Sequence, residues 1–177
     1  MAEKDVVDQI IEQWRRTRPD IDASPMGVLG RLSRLTRLAE REQQALFSEL
    51  GLQPGEFDLM ATLRRASPPD GMTAGALAAA AMKTSGAITN RIDRLVAKDL
   101  VTRDLDPANR RSVLIALSPA GRRLIDQAVV VHVDNERRIL AALDGHQQTA
   151  LADLLRELLI SLDDTAVEKV ADGTGAA

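Results

Sequence analysis

The order of the elements predicted between residues 73 and 118 limits the fold of this chain more than any other feature. A short alanine-rich helix is expected over 73–81, and a second helix follows over 84–98 after a tight turn. Two strands, 101–105 and 112–118, flank a charged segment and are typical of a β-hairpin. Helix, turn, helix and hairpin in this order predict a winged helix-turn-helix within a mainly α (α+β) fold.

Five further helices are predicted around this segment, and each has a local start or stop signal. They extend over about 4–16, from Pro25 to Gly51, from Pro54 to Ser67, from Pro119 to about Leu140, and from Asp144 onward. Aromatic residues are nearly absent, with Trp14, Phe47 and Phe57 the whole set. An aliphatic, alanine-rich core favours helices over a β-sandwich or barrel.

The residue types that most catalytic and metal sites require are missing or isolated. Cysteine is absent, which excludes disulfides, thiolate catalysis and cysteine-based metal sites. The spacing of His132 and His146 matches no metal-ligand pattern, and the sequence has no glycine-rich phosphate loop. We therefore expect no enzyme activity, no catalytic residues, no metal and no cofactor. The longest apolar run, 74–82, is too short for a membrane span and the N-terminus is acidic, so a cytoplasmic location is expected.

The net charge of -3 hides a strong asymmetry along the chain. The segment from residue 83 to residue 123 contains nine basic and four acidic residues, which gives it a local charge of +5. The rest of the chain carries fourteen basic and twenty-two acidic residues, a charge of -8. A basic segment on an acidic body is typical of a module that binds a polyanion such as double-stranded DNA.

The helix predicted over 84–98 separates an apolar face from a polar face. The apolar face consists of Ile88, Ile92, Leu95 and Val96. Asn90, Arg94 and Ala97 lie roughly opposite, and Asn and Arg side chains can hydrogen-bond adenine and guanine in the major groove. The residues predicted to contact DNA from this helix and the hairpin are Thr84, Ser85, Ala87, Thr89, Asn90, Arg94, Arg110 and Arg111.

Two other interpretations of the basic segment are open. A plain helical bundle also has charged, solvated faces, and a helical protein-interaction module could use the segment to bind an acidic protein partner. Sequence-selective binding that salt weakens distinguishes DNA recognition from both.

The amphipathic helices at both ends of the chain predict a dimer. We expect a single domain over 1–177, in which 54–118 binds DNA and in which 4–50 and 119–165 form the dimerisation region. A twofold homodimer buries the apolar faces of these helices and presents two DNA-binding heads to a palindromic site.

Three segments resemble the MarR family of dimeric bacterial transcription regulators. Residues 53–60 (QPGEFDLM) are similar to the helix before the helix-turn-helix, 85–95 (SGAITNRIDRL) to the recognition helix, and 106–117 (DPANRRSVLIAL) to the wing. The resemblance implies a winged-helix homodimer that binds a pseudo-palindromic operator, acting as a repressor. The wing of this family usually carries an Asp-x-Arg unit; here Asn109 occupies the acidic position and Arg111 keeps the arginine.

A narrower resemblance is to the urate-responsive, PecS/HucR-type branch of the family. It is carried by an extra first helix that contains a tryptophan and by residues 18–26 (RPDIDASPM). That branch is associated with a ligand site of one tryptophan, one aspartate and two arginines. By position, the resemblance implies that Trp14, Asp58, Arg91 and Arg103 bind the effector, urate or a related planar or carboxylate anion.

The chemistry of these four residues is consistent with an anion site. In projection, Arg91 lies on the shoulder of its helix, so it can turn inward, where Asp58 can supply a charge-assisted hydrogen bond. Two arginines near one aspartate leave a positive charge for a planar anion that a tryptophan ring can cover. The alternative is three surface charges and a tryptophan buried in the core. In the anion-site hypothesis, the anion competes for Arg91 and Arg103, repels Asp58 and releases DNA.

Overall fold

A computed structural model describes residues 3–68, 70–81 and 88–164 of the chain. The chain divides into an N-terminal unit (Met1–Ala45) and a C-terminal unit (Leu46–Ala177). The described residues form seven helices and three strands. The helices are α1 (Val6–Thr17), α2 (Pro25–Glu49), α3 (Pro54–Ala66), α4 (Ala74–Ala80), α5 (Ile88–Ala97), α6 (Pro119–Ile139) and α7 (Gly145–Ser161). The strands are β1 (Met72–Thr73), β2 (Val101–Leu105) and β3 (Val113–Leu117).

In the N-terminal unit, the start of α1 is joined to α2 by apolar contacts and by ion pairs. Val7 and Ile11 are buried on one face of α1. The guanidinium of Arg31 on α2 donates to the carboxylates of Asp5 (2.9 Å) and Asp8 (2.8 Å). An open groove of about 470 Å³ lies beside these helices and is lined mostly by apolar side chains of both.

The core of the C-terminal unit forms where α3, α5, α6 and the sheet meet. Its buried members are Phe47, Leu52, Phe57, Leu59, Met60, Leu63, Leu77, Ile92, Leu95, Val101, Ile115, Ile125 and Ala128. The rings of Phe47 and Phe57 stack with centroids 4.2 Å apart, and the ring of His132 on α6 lies 4.8 Å from that of Phe57. The core is otherwise aliphatic, as the composition predicts.

The wing belongs to a three-stranded antiparallel sheet of order β1-β3-β2. Val101 faces Leu117 and Arg103 faces Ile115 across the β2–β3 hairpin. The two-residue strand β1 pairs with the other edge of β3, with Met72 opposite Ile115. Strand β1 joins the start of α4 to the wing, so the sheet and the helix-turn-helix form one structure.

The junction between the wing and α6 is closely packed around a glycine. Ser118 caps α6 by accepting a hydrogen bond from the Gly121 backbone N–H (2.9 Å) and donates its hydroxyl to the Asp99 carbonyl (2.7 Å). A Cβ placed on Gly121 would lie only 1.9 Å from the backbone oxygen of Leu100. Only glycine permits this approach of α6 to the backbone of Leu100, the residue before β2.

Large apolar side chains remain exposed on the described helices. None of the residues of α7 is buried, and Leu154, Leu158, Leu159 and Leu162 are all at least 45% exposed. Val28 and Leu29 of α2 are more than half exposed. Across the described ranges, no helix combines the length and apolar character that a membrane crossing requires.

The predicted fold class and most element boundaries are confirmed. The side chains of Thr73, Ser118 and Asp144 cap α4, α6 and α7 and supply the local start signals of these helices. Ser24, which directly precedes α2, donates its hydroxyl to the carboxylate of Asp22. Strand β1 was not predicted, because two residues carry no alternation that a sequence pattern could detect. The predicted start of the second helix at residues 84–85, and the tail after 164, lie outside the described residues.

Candidate DNA interface and effector site

Helix α5 carries the predicted division between a buried face and an exposed face. Ile92 and Leu95 are 1% exposed and pack in the core, whereas Thr89 and Asn90 are exposed. Val96 was expected on the apolar face but is 38% exposed, because it lies at the edge of that face. The other predicted contacts before α5, at Thr84, Ser85 and Ala87, lie outside the described residues.

The tip of the wing is held by neutral hydrogen bonds centred on Asn109. Its side-chain oxygen accepts from the Arg111 backbone N–H (3.2 Å), and its amide nitrogen donates to the Ser112 hydroxyl (3.1 Å). Asp106 also stabilises the turn by accepting from the Ala108 backbone N–H (2.8 Å). Asn109 therefore braces the tip without an ion pair, and Arg110 and Arg111 are exposed.

A buried carboxylate connects α3 to α5. Glu56, in the first turn of α3, has no exposed surface. Its carboxylate accepts from Arg94 Nε (3.1 Å), from Lys98 Nζ (2.7 Å) and from the backbone N–H of Gln53 (2.9 Å). Lys98 Nζ also donates to the carbonyl of Gly51 (2.9 Å). Arg94 lies on α5 and Lys98 directly follows the last residue of this helix; four residues apart, the two cations project on the same side.

These contacts keep Glu56 ionised. Burial opposes the charged form and by itself would raise the pKa of the Glu56 carboxyl. Hydrogen bonds from Lys98, from the Gln53 backbone N–H and from Arg94 outweigh burial and hold this pKa below its usual value. The carboxylate is therefore charged throughout the physiological pH range.

Arg91 lies against the backbone of α3 one turn before Arg94. A Cβ placed on Gly55 would be 2.7 Å from Nε and 2.8 Å from Cζ of Arg91. The guanidinium therefore rests on the first turn of α3, in space that only a glycine leaves open. Asp58 is half-buried and follows Gly55 by three residues, so both lie on the same side of α3.

Arg103 connects β2 to α5 through an ion pair with Asp93. Its Nη2 lies 2.6 Å from the Oδ1 atom of Asp93, and its side chain is 35% exposed. Asp93 follows Arg91 by two residues on α5. Helix α5 is thus joined by charged side chains both to α3 and to the wing.

Each predicted effector residue therefore has a defined position. Arg91 lies on α5 against α3, Asp58 lies on α3, and Arg103 lies on β2 with Asp93 as its partner. Trp14 lies on α1 in the N-terminal unit and is 38% exposed, so it is not the buried core residue of the alternative interpretation.

Gly55, Glu56 and Lys98 were not predicted to belong to the site. An acid at the third position after the N-cap Gln53 could have been noted as a helix-start signal. That local signal identifies the hydrogen bond to Gln53 but not the contacts with Arg94 and Lys98.

The chain is similar to known regulators of transcription. A family model described as the MarR family matches residues 52–113, which include α3, the helix-turn-helix and most of the wing. The HTH-type transcriptional regulator PecS of Dickeya dadantii is 40% identical over 149 residues, which cover 84% of this chain and 90% of PecS. The chain belongs to the MarR family.

One further relative and one solved structure are also similar to this chain, the structure in its fold. The HTH-type transcriptional repressor NicR of Pseudomonas putida is 25% identical over 83% of this chain and 96% of NicR. A mutant of MarR from Escherichia coli, solved in complex with operator DNA, has a TM-score of 0.66 and 24% identity over 88% of this chain and 99% of that chain. As a MarR-family member, the protein is a DNA-binding transcriptional regulator and not an enzyme. The protein-interaction module is not favoured.

Proposed function

We propose that this MarR-family protein is a homodimeric repressor that binds a pseudo-palindromic operator and releases it when a small anionic metabolite, such as urate, binds. The position of Arg91 carries this proposal. Its guanidinium lies against α3, while Thr89 and Asn90 on the same helix are exposed. A ligand that recruits Arg91 therefore acts on the helix that carries the predicted DNA contacts.

The DNA-binding surface in this proposal combines α5 with the wing. Thr89, Asn90 and Arg94 of α5 contact the major groove, and Arg110 and Arg111 reach the flanking backbone or minor groove. Thr84, Ser85 and Ala87 are included from the sequence. The bound state places one such head in each of two successive major grooves, which requires a twofold dimer.

Exposed apolar surface supports dimerisation. Leu154 and Leu158 of α7, Leu162 directly after it, and Val28 and Leu29 of α2 are all at least 45% exposed. These helices lie in the two segments, 4–50 and 119–165, that were predicted to form the dimer. A second copy that covers them removes this surface from water.

Release by the effector follows from competition among charges. An anion accepts hydrogen bonds from Arg91 and Arg103, displaces Asp93 from Arg103, and is repelled by Asp58. These changes shift α5 relative to α3 and the wing, and the head then fits DNA poorly. A coupling of this kind is typically about 1–3 kcal/mol, or roughly 5- to 150-fold in DNA affinity.

Urate is the first ligand to test, and Trp14 supplies a reporter because it is the only tryptophan in the chain. The wild-type protein first selects a preferred duplex from a random-sequence pool, and its Kd for that duplex is measured with and without urate. We expect urate to quench Trp14 fluorescence and to raise the Kd roughly 5- to 150-fold. In Arg91→Ala, urate should leave the Kd for DNA unchanged. In Arg137→Ala, which removes an exposed ion pair with Asp134 on α6, urate should raise the Kd as it does in the wild type.

The outcomes separate the parts of the proposal. If no duplex is preferred over a scrambled one, operator recognition is wrong. If urate changes neither the fluorescence of Trp14 nor the Kd for DNA, urate is not the effector, and other planar and carboxylate anions are then tested in the same assay. If Arg91→Ala responds like the wild type, the effector site is elsewhere.

A further inference from the structure

The buried carboxylate of Glu56 has a geometry that packing alone does not require. A buried ion pair is seldom more stabilising than a well-packed apolar group, because both charges lose hydration. Glu56 is nonetheless fully buried and is shared between Arg94 and Lys98. The best-attested role of a buried ionic group is to select one conformation of its partners over the alternatives.

The arrangement that Glu56 fixes includes the guanidinium of Arg94. The contact is made through Nε at 3.1 Å, so it does not use the hydrogens on the two terminal nitrogens. Arg94 is 44% exposed, although its partner is not exposed at all. The Nε edge of the guanidinium is thus held inside the fold. Its two terminal nitrogens, which can donate together to guanine or to a phosphate, are left to bind DNA.

We propose that Glu56 is a positioning residue for DNA recognition, which holds Arg94 in the conformation that contacts the operator. This inference rests on the proposed role of α5. Glu56 does not touch DNA; it removes conformational freedom from Arg94 before binding. Immobilising one long side chain in advance corresponds to roughly 2- to 12-fold in Kd.

Lys98 provides the matched control. Its ammonium group donates hydrogen bonds both to the Glu56 carboxylate and to the carbonyl of Gly51. Lys98 lies one helical turn beyond Arg94 and is not among the predicted DNA contacts. Lys98→Met removes a cation from the same network and leaves the contact between Glu56 and Arg94 intact. Both Lys98→Met and Glu56→Gln should therefore lower the stability of the protein. Only Glu56→Gln should also lower its selectivity for DNA.

The experiment measures selectivity, defined as the ratio of Kd values for a scrambled duplex and for the duplex that the wild type selects. Glu56→Gln should reduce this ratio roughly 2- to 12-fold through weaker binding of the selected duplex. Arg94→Ala should reduce it at least as much, and the double variant no further than Arg94→Ala. Lys98→Met should keep the wild-type ratio. Circular dichroism melts establish that each variant is folded.

Arg94→Lys covers the case in which Glu56→Gln does not fold. Lysine keeps the positive charge but lacks the fork and the Nε–H that Glu56 holds. It should lower selectivity while retaining affinity for the scrambled duplex. Full selectivity in Arg94→Lys, unchanged selectivity in a folded Glu56→Gln, or additive effects in the double variant would each overturn the inference. A wild type without any preferred duplex instead refutes the proposed function and the inference with it.

Discussion

Replacing Gly55 with alanine separates the stability of α3 from the position of Arg91. The new Cβ would lie 2.7 Å from Nε and 2.8 Å from Cζ of Arg91. Ordinary carbon contacts begin at about 3.5 Å, so the guanidinium has to retreat by about 0.8 Å or change rotamer. The atoms that must move belong to the end of a long side chain, and the backbone of α3 can stay in place.

The expected effect on stability is small and favourable. Alanine in a helix is about 0.5–1 kcal/mol more stable than glycine, and the lower value applies because Gly55 lies in the first turn of α3. In a protein of this size, about 0.5 kcal/mol raises the Tm by about 1–2 °C. Gly145→Ala, in the first turn of α7, is the control because its Cβ meets nothing within 4 Å.

The effect on the effector response should be large. Displacing Arg91 removes a proposed ligand contact, so the change in Kd for DNA on adding urate should fall below about 5-fold, the lower end of typical coupling. Thermal melting followed by circular dichroism gives the Tm, and fluorescence anisotropy of labelled duplex gives the Kd. A fall in Tm of several degrees would show that the backbone yields instead of Arg91. A response equal to that of Gly145→Ala would show that the Arg91 contact plays no part.

Two further predictions concern stability. Gly121→Ala should destabilise the protein by about 2–4 kcal/mol, measured by urea unfolding, since its Cβ would meet the rigid Leu100 backbone oxygen at 1.9 Å; a stable variant would contradict that packing. The pKa of Glu56 is lowered in the folded state, so its ionic contribution is fully present above the usual value of about 4.3 and is lost as pH falls through the folded value. The difference in unfolding free energy between the wild type and Glu56→Gln should therefore be constant from pH 5 to 8 and should become smaller below pH 4. If the unfolding free energies of both proteins depend on pH in the same way, the ionised Glu56 does not contribute to stability.

The helices, the hairpin and the basic segment were predictable because their signals are local. Caps such as Thr73, Ser118 and Asp144 bond backbone groups three residues away, so neighbouring residues suffice to locate α4, α6 and α7. The hairpin is likewise defined by strands joined through one short turn. The predicted DNA and effector residues followed from such patterns and from family resemblance, and their roles remain predictions.

The contacts that hold α5 in place were decided by the tertiary structure. Glu56 meets Arg94 and Lys98 across 38 and 42 residues of chain, and Gly55 meets Arg91 across a similar span. Strand β1 exists only because Met72 lies beside Ile115 in the folded chain. A sequence specifies which charges and which small residues are present, but long-range pairing depends on the mutual orientation of packed helices and strands. That orientation is set by the burial of the whole core, so no local pattern encodes it.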